Sequence, residues 1–324
     1  MLNVQNLNQI IVQDSLQAEP INLVYILGYG HSGSTLLDMM LGSTHDMLSC
    51  GELWAFGRNL HENRLCSCGK HFSECEFWHS VLKTLEEQVG WTPQQQHYSP
   101  SVLTDSTISK WLTRFRSDFR PSVSTRVLEQ FGMREKILFQ TLLEESGAKV
   151  AVDSSKYLER LIALHYTGHF NIRVIHLIRD GLALLDAARR ALARTSANRS
   201  RPVITPLEIL RWTTLINRQK RFLDEVMPDC HIRISYESLT SNPVETMTRA
   251  FKDLEIDFSA ETLDDKSDQY VFQHERHFVG GNRMKYADAS TSISKSGDWV
   301  SRISNSDRYW FKFLGGERLE SQLR

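Results

Sequence analysis

Net charge is nearly absent from this sequence. Its 324 residues carry 38 lysine and arginine side chains against 39 aspartate and glutamate side chains, for a formal net charge of −1. No overall electric field would therefore hold the chain on nucleic acid or on an anionic membrane surface. We expect no nucleic-acid partner, and any site for an anionic ligand must be built locally.

Long apolar runs are missing as well. No segment approaches the ~20 apolar residues that a membrane-spanning helix needs. Residues 1–20 are polar and lack the basic and then apolar pattern of a secretion signal. The five cysteines, an odd number, do not indicate a disulfide framework in a chain of this length. We therefore expect a cytoplasmic protein without a membrane span.

Internal repeats and long low-complexity tracts are also absent. A hydrophobic content of 41% can fill a large core, and α/β folds can accommodate this length in one unit. We expect a polar leader over residues 1–20 and a single domain over residues 21–324.

Short apolar runs alternate with longer segments of helical period. Four runs rich in β-branched residues are typical of buried strands, at residues 21–27, 149–152, 172–178 and 230–235. Residues 126–146 and 207–226 have helical period. Strands separated by helices predict a three-layer α/β fold, in which a mainly parallel β-sheet is flanked by helices. Ligands of such sheets bind at the carboxyl ends of the strands.

A glycine-rich loop follows the first predicted strand. Gly28, Gly33 and Thr35 have the spacing G-x-x-x-x-G-x-T, and an apolar helical run comes next. Glycines alone would also make a tight turn, but the strand, hydroxyls and helix together favour a loop that binds phosphate through backbone N–H groups. Ser34 occupies the position of the lysine that nucleotide triphosphatases use, which argues against ATP or GTP hydrolysis.

This loop resembles that of the bacterial-type sulfotransferases that use 3′-phosphoadenosine-5′-phosphosulfate (PAPS). In that family a basic residue precedes Ser-Gly-(Ser/Thr)-Thr, and here His31 replaces the usual lysine or arginine. The resemblance implies a fold similar to P-loop nucleotide kinases. It also implies that the loop holds the 5′-phosphosulfate through Gly30, Ser32, Gly33, Ser34 and Thr35.

A second segment resembles the 3′-phosphate element of the same family. Arg179 follows a predicted strand and opens a helix, which suits a bidentate contact with phosphate. Ala187 stands where the family commonly has a serine, and Arg189, Arg190 or Arg194 could replace the missing contact. A surface arginine paired with an acid is the alternative interpretation.

Two shorter segments resemble further family elements. Residues 153–156, Asp-Ser-Ser-Lys, imply that Ser155 and Lys156 face the donor or the acceptor. Tyr236 begins a Tyr-Glu-x-Leu segment at a strand end, which implies a position near the adenosine. A half-buried core aromatic is the alternative for this tyrosine.

Near the C-terminus, residues 280–282 resemble the glycine-asparagine loop of bacterial-type members. Glycines bring the backbone close to a ligand, and Arg283 and Lys285 can reach phosphate from there. The resemblance extends from about residue 21 to about residue 315, with its motifs in family order.

Sulfuryl transfer to a hydroxyl or an amine needs a base for the acceptor proton and groups that offset charge on the departing phosphate. Glu52 lies in a Cys-Gly-Glu segment where tyrosylprotein and some carbohydrate sulfotransferases carry a base. A glutamate favoured by a helix N-terminus is the alternative. His31 is the rival base, although its position better suits leaving-group stabilisation. This chemistry requires no metal.

Three cysteines lie close together in the sequence, at Cys66, Cys68 and Cys75, with His71 and His79 nearby. They could form a zinc site, although Cys-x-Cys is not the usual Cys-x₂-Cys spacing. Ordinary packing and a redox pair are the alternatives, and we assign no metal to the catalytic site.

The sequence therefore predicts a PAPS-dependent sulfotransferase with a carbohydrate, peptide or small-molecule acceptor. A P-loop small-molecule kinase should carry the loop lysine that is missing here, and a non-catalytic nucleotide-binding module would show no turnover. Segments without clear period are predicted loops: residues 92–107, 194–206, 259–270 and 286–298. The first two, with residues 54–66, are expected to shape the acceptor pocket.

Overall fold

The structure is a computed structural model. It describes residues 19–44, 46–89, 119–121, 123–195, 204–256, 269–271, 276–286, 290–292 and 299–323. Most of the predicted leader, the predicted loop at residues 92–107, and residues 196–203 of the next predicted loop lie outside the described residues.

The structure contains a five-stranded β-sheet with the strand order β2-β3-β1-β4-β5. Its strands are β1 (Ile21–Gly28), β2 (Met47–Ser49), β3 (Val150–Lys156), β4 (Phe170–Ile178) and β5 (His231–Ser235). The outer pairs are parallel, with Met47 opposite Val150 and Val174 opposite His231. The predicted α/β fold with a mainly parallel sheet is confirmed. Strand β2 was not predicted because three residues show no period.

Helices connect and flank the strands. They are α1 (Ser34–Leu41), α2 (Phe56–His61), α3 (Glu76–Val89), α4 (Thr125–Ser146), α5 (Leu158–Thr167), α6 (Gly181–Thr195), α7 (Pro206–Val226), α8 (Tyr236–Ser241), α9 (Pro243–Asp253), α10 (Asn305–Phe313) and α11 (Gly316–Leu323). Among the described residues, none of these helices is both long enough and apolar enough to cross a membrane.

Side-chain caps set the starts of the two long helices. At α4, Ser124 accepts a hydrogen bond from the backbone N–H of Val127. At α7, Thr205 and Glu208 form a reciprocal capping box. Such caps satisfy N–H groups that have no partner within the helix. The helices therefore begin one residue before the predicted segments of helical period.

The first of two compact units contains β2, β3 and α2 to α5. It comprises three stretches of the chain: Met1–Tyr25, Asp38–Arg173 and Gln273–Ala287. Helix α4 packs against α3, α5 and β3. In this core the buried Arg160 forms ion pairs with Asp153 at 2.8 Å and with Glu135 at 2.7 Å. Both carboxylates are needed because a buried charge without partners is strongly destabilising.

The second compact unit contains β5, α6 to α11 and the glycine-rich loop. It comprises Ile26–Leu37, Val174–Phe272 and Asp288–Arg324. Its core is a cluster of buried apolar side chains that includes Leu182, Leu185, Ile209, Trp212, Ile216, Phe311 and Leu319. The rings of Trp212 and Phe311 lie 5.3 Å apart at its centre.

Three predicted loops contain regular structure. Strands β6 (Gln269–Val271) and β7 (Ser290–Ser292) pair antiparallel and overlap the stretches predicted as loops at residues 259–270 and 286–298. Residues 54–66, also predicted as a loop, begin with a 3₁₀ turn at Leu53–Ala55 and continue into α2. These elements are too short to produce a recognisable period in the sequence.

Candidate active site

The glycine-rich loop connects β1 to α1 through two left-handed residues. His31 has φ 67° and Gly33 has φ 98°. The backbone N–H of Leu37 donates to Gly33 O at 3.2 Å, which closes the first turn of α1. Left-handed residues next to a helix N-terminus create a concave set of N–H groups that suits an anion. His31 is not a glycine, so its left-handed backbone is strained. Strained residues of this kind cluster at functional sites.

Tyr236 lies against Gly33. A Cβ atom on Gly33 would be 2.3 Å from the tyrosine ring, so no other residue fits this position. The guanidinium of Arg179 also lies over this ring, 4.2 Å from its centroid, and Arg179 Nη1 donates to His31 O at 2.8 Å. The structure therefore brings three predicted donor-site residues and His31 into contact within the second unit.

Two polar atoms of this arrangement are buried and, within the described part of the chain, lack a hydrogen-bond partner. They are Ser32 Oγ and Arg179 Nε. Burial lowers the pKa of the Arg179 guanidinium from its ordinary value, and the nearby Arg190 cation lowers it further. Buried polar groups are normally hydrogen-bonded, so these atoms fit an anionic ligand that would satisfy both.

The remaining loop residues lie around this point. Gly30 is exposed, and a Cβ atom built on it would meet no atom within 4 Å. Ser34 is buried at the start of α1, and Thr35 is half-buried beside it. The loop therefore has open space at Gly30.

Arg190, another predicted donor-site cation, is paired with an acid on its own helix. Its Nε lies 3.0 Å from the buried Asp186, which also binds Arg189 and Arg302. Burial raises the pKa of Asp186, but hydrogen bonds from Arg302 and Arg189 outweigh it and the pKa lies below its ordinary value. The alternative interpretation of Arg179, an arginine paired with an acid, therefore applies to Arg190. The side chain of Arg194 lies outside the described residues.

A cavity of about 700 Å³ borders Arg179 in the second unit. Its volume is within the range of small-molecule sites, roughly 300–1,000 Å³. Its lining carries positive and negative side chains and one indole ring. The lining residues are Ile178, Arg179, Asp180, Arg233, Ser235, Glu237, Ser238, Arg249, Trp299, Val300, Glu320 and Leu323.

In the first unit, Glu52 is held by two side-chain donors. Lys156 Nζ donates to its Oε1 at 2.6 Å, and Trp54 Nε1 donates to its Oε2 at 3.0 Å. The Glu52 side chain is 18% exposed and that of Lys156 is 14% exposed. Each carboxylate oxygen keeps a further lone pair for a ligand. Lys156 itself has φ 68°, an uncommon conformation for a lysine.

The backbone around Glu52 is fixed by the segment that follows residue 276. Glu52 N–H donates to Val279 O at 2.7 Å, and Val279 N–H donates to Cys50 O at 3.1 Å. Gly51 has φ 74°, and a Cβ atom there would lie 2.3 Å from Val279 O. The Cys-Gly-Glu segment therefore needs its glycine for this close pairing.

The predicted glycine-asparagine loop lies beside Glu52. A Cβ atom on Gly280 would be 3.0 Å from Glu52 Cβ. Lys285 was expected to reach phosphate, but it is 5% exposed and burial lowers its pKa, while nearby Cys66 and Glu52 raise it. Arg283 is exposed. The structure thus places Lys285 inside the first unit instead of on a surface that could meet phosphate.

Each residue of the Asp-Ser-Ser-Lys segment at 153–156 has its own partner in the first unit. Asp153 binds Arg160, Ser154 donates to Asp38 at 2.6 Å, and Lys156 binds Glu52. Ser155 was expected to face a ligand, but the structure buries it completely.

The Ser155 hydroxyl donates to Asp153 and accepts a hydrogen bond from the backbone N–H of Trp54 at 3.1 Å. Both of its contacts therefore lie within the protein. Ser155 positions the turn that carries Glu52 and Trp54.

Asp38 is a buried acid next to this segment. Its carboxylate accepts hydrogen bonds from Ser154 and Ser49. Burial raises its pKa to about 7, although these two hydrogen bonds act in the opposite direction. The carboxyl group therefore changes its protonation state near neutral pH.

Two aromatic rings and a cation lie beside Glu52. The rings of Trp54 and Tyr157 meet edge to face at 5.0 Å, and the guanidinium of Arg58 lies 5.0 Å from the Trp54 ring. Tyr157 is 41% exposed. Sequence reasoning missed these residues, because isolated aromatic residues between predicted elements carry no motif.

A buried glutamine connects α7 to the start of the loop. Gln219 Nε2 donates to Gly28 O at 2.9 Å, and its Oε1 lies 3.2 Å from His176 Nε2. Burial lowers the pKa of His176 to about 3, so the ring is neutral. Gln219 was also missed, since a single polar residue within a helical period has no distinguishing signal.

Comparison with known proteins found similar solved structures at low sequence identity and with TM-scores below 0.5. The sulfotransferase domain from the curacin biosynthetic pathway is 17% identical with a TM-score of 0.49, over 93% of this chain and 98% of that one. The sulfotransferase domain of the Synechococcus PCC 7002 olefin synthase is 18% identical with a TM-score of 0.49, over 93% and 96% of the two chains.

A mouse sulfotransferase solved in complex with PAP is 10% identical with a TM-score of 0.44, over 95% of this chain and 89% of that one. No curated protein matches the sequence. The model of the sulfotransferase family matches residues 24–260, which include the glycine-rich loop, Glu52, Arg179 and Tyr236. Because this match covers well over half of the chain, the protein belongs to the sulfotransferase family.

Proposed function

We propose that this protein transfers a sulfuryl group from PAPS to a hydroxyl or an amine of an acceptor and releases adenosine 3′,5′-bisphosphate. One observation carries the proposal. Gly33, Tyr236 and Arg179 pack into one arrangement that leaves the buried Ser32 Oγ and Arg179 Nε without partners in the described part of the chain. Such atoms favour an anionic ligand at the loop.

The donor would be held by groups of the second unit. Backbone N–H groups of the loop, with the hydroxyls of Ser32, Ser34 and Thr35, would bind the 5′-phosphosulfate. Arg179 would bind the 3′-phosphate through charge-assisted hydrogen bonds, and the ring of Tyr236 would lie near the adenosine. Arg190 would add positive charge without a direct contact, because Asp186 holds its guanidinium.

In the transfer step Glu52 would act as the general base. The acceptor oxygen or nitrogen forms a bond to sulfur while the bond from sulfur to the phosphate oxygen breaks, and the acceptor proton passes to the Glu52 carboxylate. The electron pair of the broken bond remains on the departing bisphosphate. The loop N–H groups and His31 would offset this charge, so the proposed step assigns no role to a metal ion.

The order of the sheet supports this assignment of roles. The loop follows β1, the Glu52 turn follows β2, Lys156 ends β3, Arg179 follows β4 and Tyr236 follows β5. Ligands of parallel α/β sheets bind at the carboxyl ends of the strands. Each proposed group therefore lies at or just after the carboxyl end of its own strand.

The acceptor would contact the side chains next to the proposed base. Trp54 and Tyr157 offer ring faces and Arg58 offers a cation, within the same unit as Glu52. A sugar or an aromatic alcohol suits such surfaces, because both stack on ring faces and carry a hydroxyl.

The direct test is incubation of the protein with radiolabelled PAPS and panels of carbohydrates, peptides and small alcohols. We expect label to appear in one acceptor class, with one bisphosphate released for each transfer. A parallel incubation with ATP labelled on its γ-phosphate tests the kinase alternative. Transfer of phosphate in the second incubation, and none of sulfate in the first, would replace the proposal with that alternative.

A further inference from the structure

In the first unit, the side-chain atoms of three cysteines and one histidine that could bind a metal ion lie close together. The sulfur atoms of Cys66, Cys68 and Cys75 and a ring nitrogen of His277 all lie within 4.8 Å of one another. The distance between Cys68 Sγ and Cys75 Sγ is 3.7 Å. His277 Nδ1 lies 3.2 Å from Cys75 Sγ and 3.7 Å from Cys66 Sγ.

The three contacts of 3.2, 3.7 and 3.7 Å are close to the ligand separations of a tetrahedral zinc site. Bond lengths of ~2.3 Å for Zn–S and ~2.0 Å for Zn–N place sulfur atoms about 3.8 Å apart and sulfur about 3.5 Å from nitrogen. All three cysteines are outside any disulfide, and two of them are fully buried. Three thiolates and one imidazole form a set that selects zinc over harder cations.

From this geometry we infer that the protein binds one structural Zn²⁺ ion through Cys66, Cys68, Cys75 and His277. The four ligands complete a tetrahedron, so no position remains for water or substrate. The ion would stabilise the fold of the first unit, and it takes no part in the transfer step proposed above.

Backbone hydrogen bonds fix the positions of the cysteines. Cys66 N–H donates to Lys70 O at 2.9 Å, and Cys75 N–H donates to His71 O at 2.9 Å. Cys75 also immediately precedes α3, whose N-terminus contributes positive potential. The turn itself is closed by a bridge between Leu65 and His71.

Hydrogen bonds hold the residues on either side of His277 in the sequence. The Ser67 hydroxyl, between the first two cysteines, accepts from Phe278 N–H at 2.7 Å and donates to Arg276 O at 2.5 Å. The ring of Phe77 stacks on that of His277 with centroids 4.6 Å apart and planes 10° apart. Contacts that orient a ligating histidine in this way are a regular feature of metal sites.

The histidines that lie near the cysteines in sequence are directed elsewhere. His71 Nδ1 lies 2.7 Å from Asn63 O, and both His71 and His79 are exposed. The fourth ligand comes from a position 202 residues after Cys75. Short-range spacing therefore could not reveal it.

Charge also fits the ion. Zn²⁺ with three thiolates and a neutral imidazole carries one net negative charge, and Lys285 lies buried close to Cys66. The segment that carries His277 continues to Val279, which pairs with Cys50 and Glu52. Zinc would thereby fix the C-terminal segment that holds the proposed base.

The first test is the metal content of the full-length protein, purified without chelator. We expect elemental mass spectrometry to find about one zinc ion per chain. Protein produced in zinc-depleted medium with Co²⁺ should show the visible bands of tetrahedral Co²⁺ and near-ultraviolet bands of cobalt-thiolate charge transfer. Absence of zinc together with absence of both sets of bands would overturn the inference.

Variants identify the ligands. His277→Ala should remove most bound metal, whereas His277→Cys should keep it and strengthen the charge-transfer bands through a fourth thiolate. The matched controls His71→Ala and Cys230→Ser should keep one metal per chain. Unchanged cobalt spectra in His277→Ala and His277→Cys would contradict the assignment of His277.

A third measurement separates zinc from a redox pair. Alkylation of the native protein followed by peptide mass spectrometry should find the three cysteines protected but not linked to each other. A disulfide between Cys68 and Cys75 in metal-free protein would replace zinc with the redox interpretation. None of these readouts depends on the proposed transferase activity, so their failure would leave that proposal intact.

Discussion

Lys156 Nζ and Glu52 Oε1 lie 2.6 Å apart, although the two residues are 104 positions apart in sequence. Lys156 reaches this contact from a left-handed backbone conformation at the end of β3. A charge-assisted contact at this distance fixes the orientation of the carboxylate. It connects two segments that the sequence motifs suggested independently.

The Lys156 contact gives the first prediction. Lys156→Asn removes the cation but retains a residue that tolerates left-handed backbone. We expect turnover to fall roughly 10- to 100-fold, the equivalent of one lost charge-assisted hydrogen bond. Affinity for the bisphosphate, measured by calorimetry, should change little. Full turnover in this variant would show that the ion pair has no role in the reaction.

Arg179 should determine the preference for a 3′-phosphate. Arg179→Ala removes the cation next to Tyr236, and we expect roughly 10- to 100-fold weaker binding of adenosine 3′,5′-bisphosphate. Binding of AMP should change much less. The control is Arg221→Ala, which removes an exposed arginine paired with Glu225 in the same unit. Equal weakening for both nucleotides would contradict the assignment.

Gly33 should not tolerate a side chain. In Gly33→Ala the new Cβ atom meets the Tyr236 ring, and φ 98° strains any residue other than glycine. We expect a lower unfolding midpoint by several degrees and weaker bisphosphate binding. For stability the comparison is Gly30→Ala, whose Cβ atom has open space. Equal unfolding midpoints in the two variants would count against the close packing of Tyr236 on Gly33.

Asp38 should make stability depend on pH. Its pKa is raised to about 7 in the folded state from 3.8, so the folded state binds the extra proton between these values. Its contribution to the free energy of unfolding is therefore greatest below about pH 4, falls as pH rises to about 7, and is constant above. The contribution amounts to a few kcal/mol at most.

Urea unfolding of the wild type and of Asp38→Asn at about pH 5 and about pH 8, on the two sides of the titration, isolates this contribution. His176 acts in the opposite direction, because its pKa is lowered to about 3 and its neutral form favours the fold as pH rises toward 6.5. That effect is common to both proteins and cancels in their difference. The wild type should lose stability relative to the variant at the higher pH.

Local sequence signals were sufficient for the fold and for the position of the glycine-rich loop. Runs of β-branched residues predicted β1, β3, β4 and β5, since buried parallel strands need such residues. The spacing of Gly28, Gly33 and Thr35 located the glycine-rich loop between β1 and α1, and its binding of phosphate stays a prediction. Both features depend on neighbouring residues, and both are visible in the sequence.

Contacts between distant segments could not be predicted in this way. Ser155 belongs to the same motif as Lys156, yet it is buried and accepts a hydrogen bond from Trp54 N–H. Its burial depends on the turn that packs against it, which the motif does not specify. His277 comes close to the cysteines through the pairing of Val279 with Glu52, a contact without a local pattern. The burial of Lys285 likewise has no local pattern in the sequence.

The central claim is that Glu52 accepts the acceptor proton during sulfuryl transfer. Glu52→Gln preserves the shape of the side chain and removes its basicity, with Glu62→Gln as the control at an exposed glutamate nearby. Turnover at saturating PAPS is the measurement. The account predicts a loss of about 10²–10⁴-fold with almost unchanged bisphosphate affinity. Full turnover in Glu52→Gln would contradict it and move the base to His31 or to another residue.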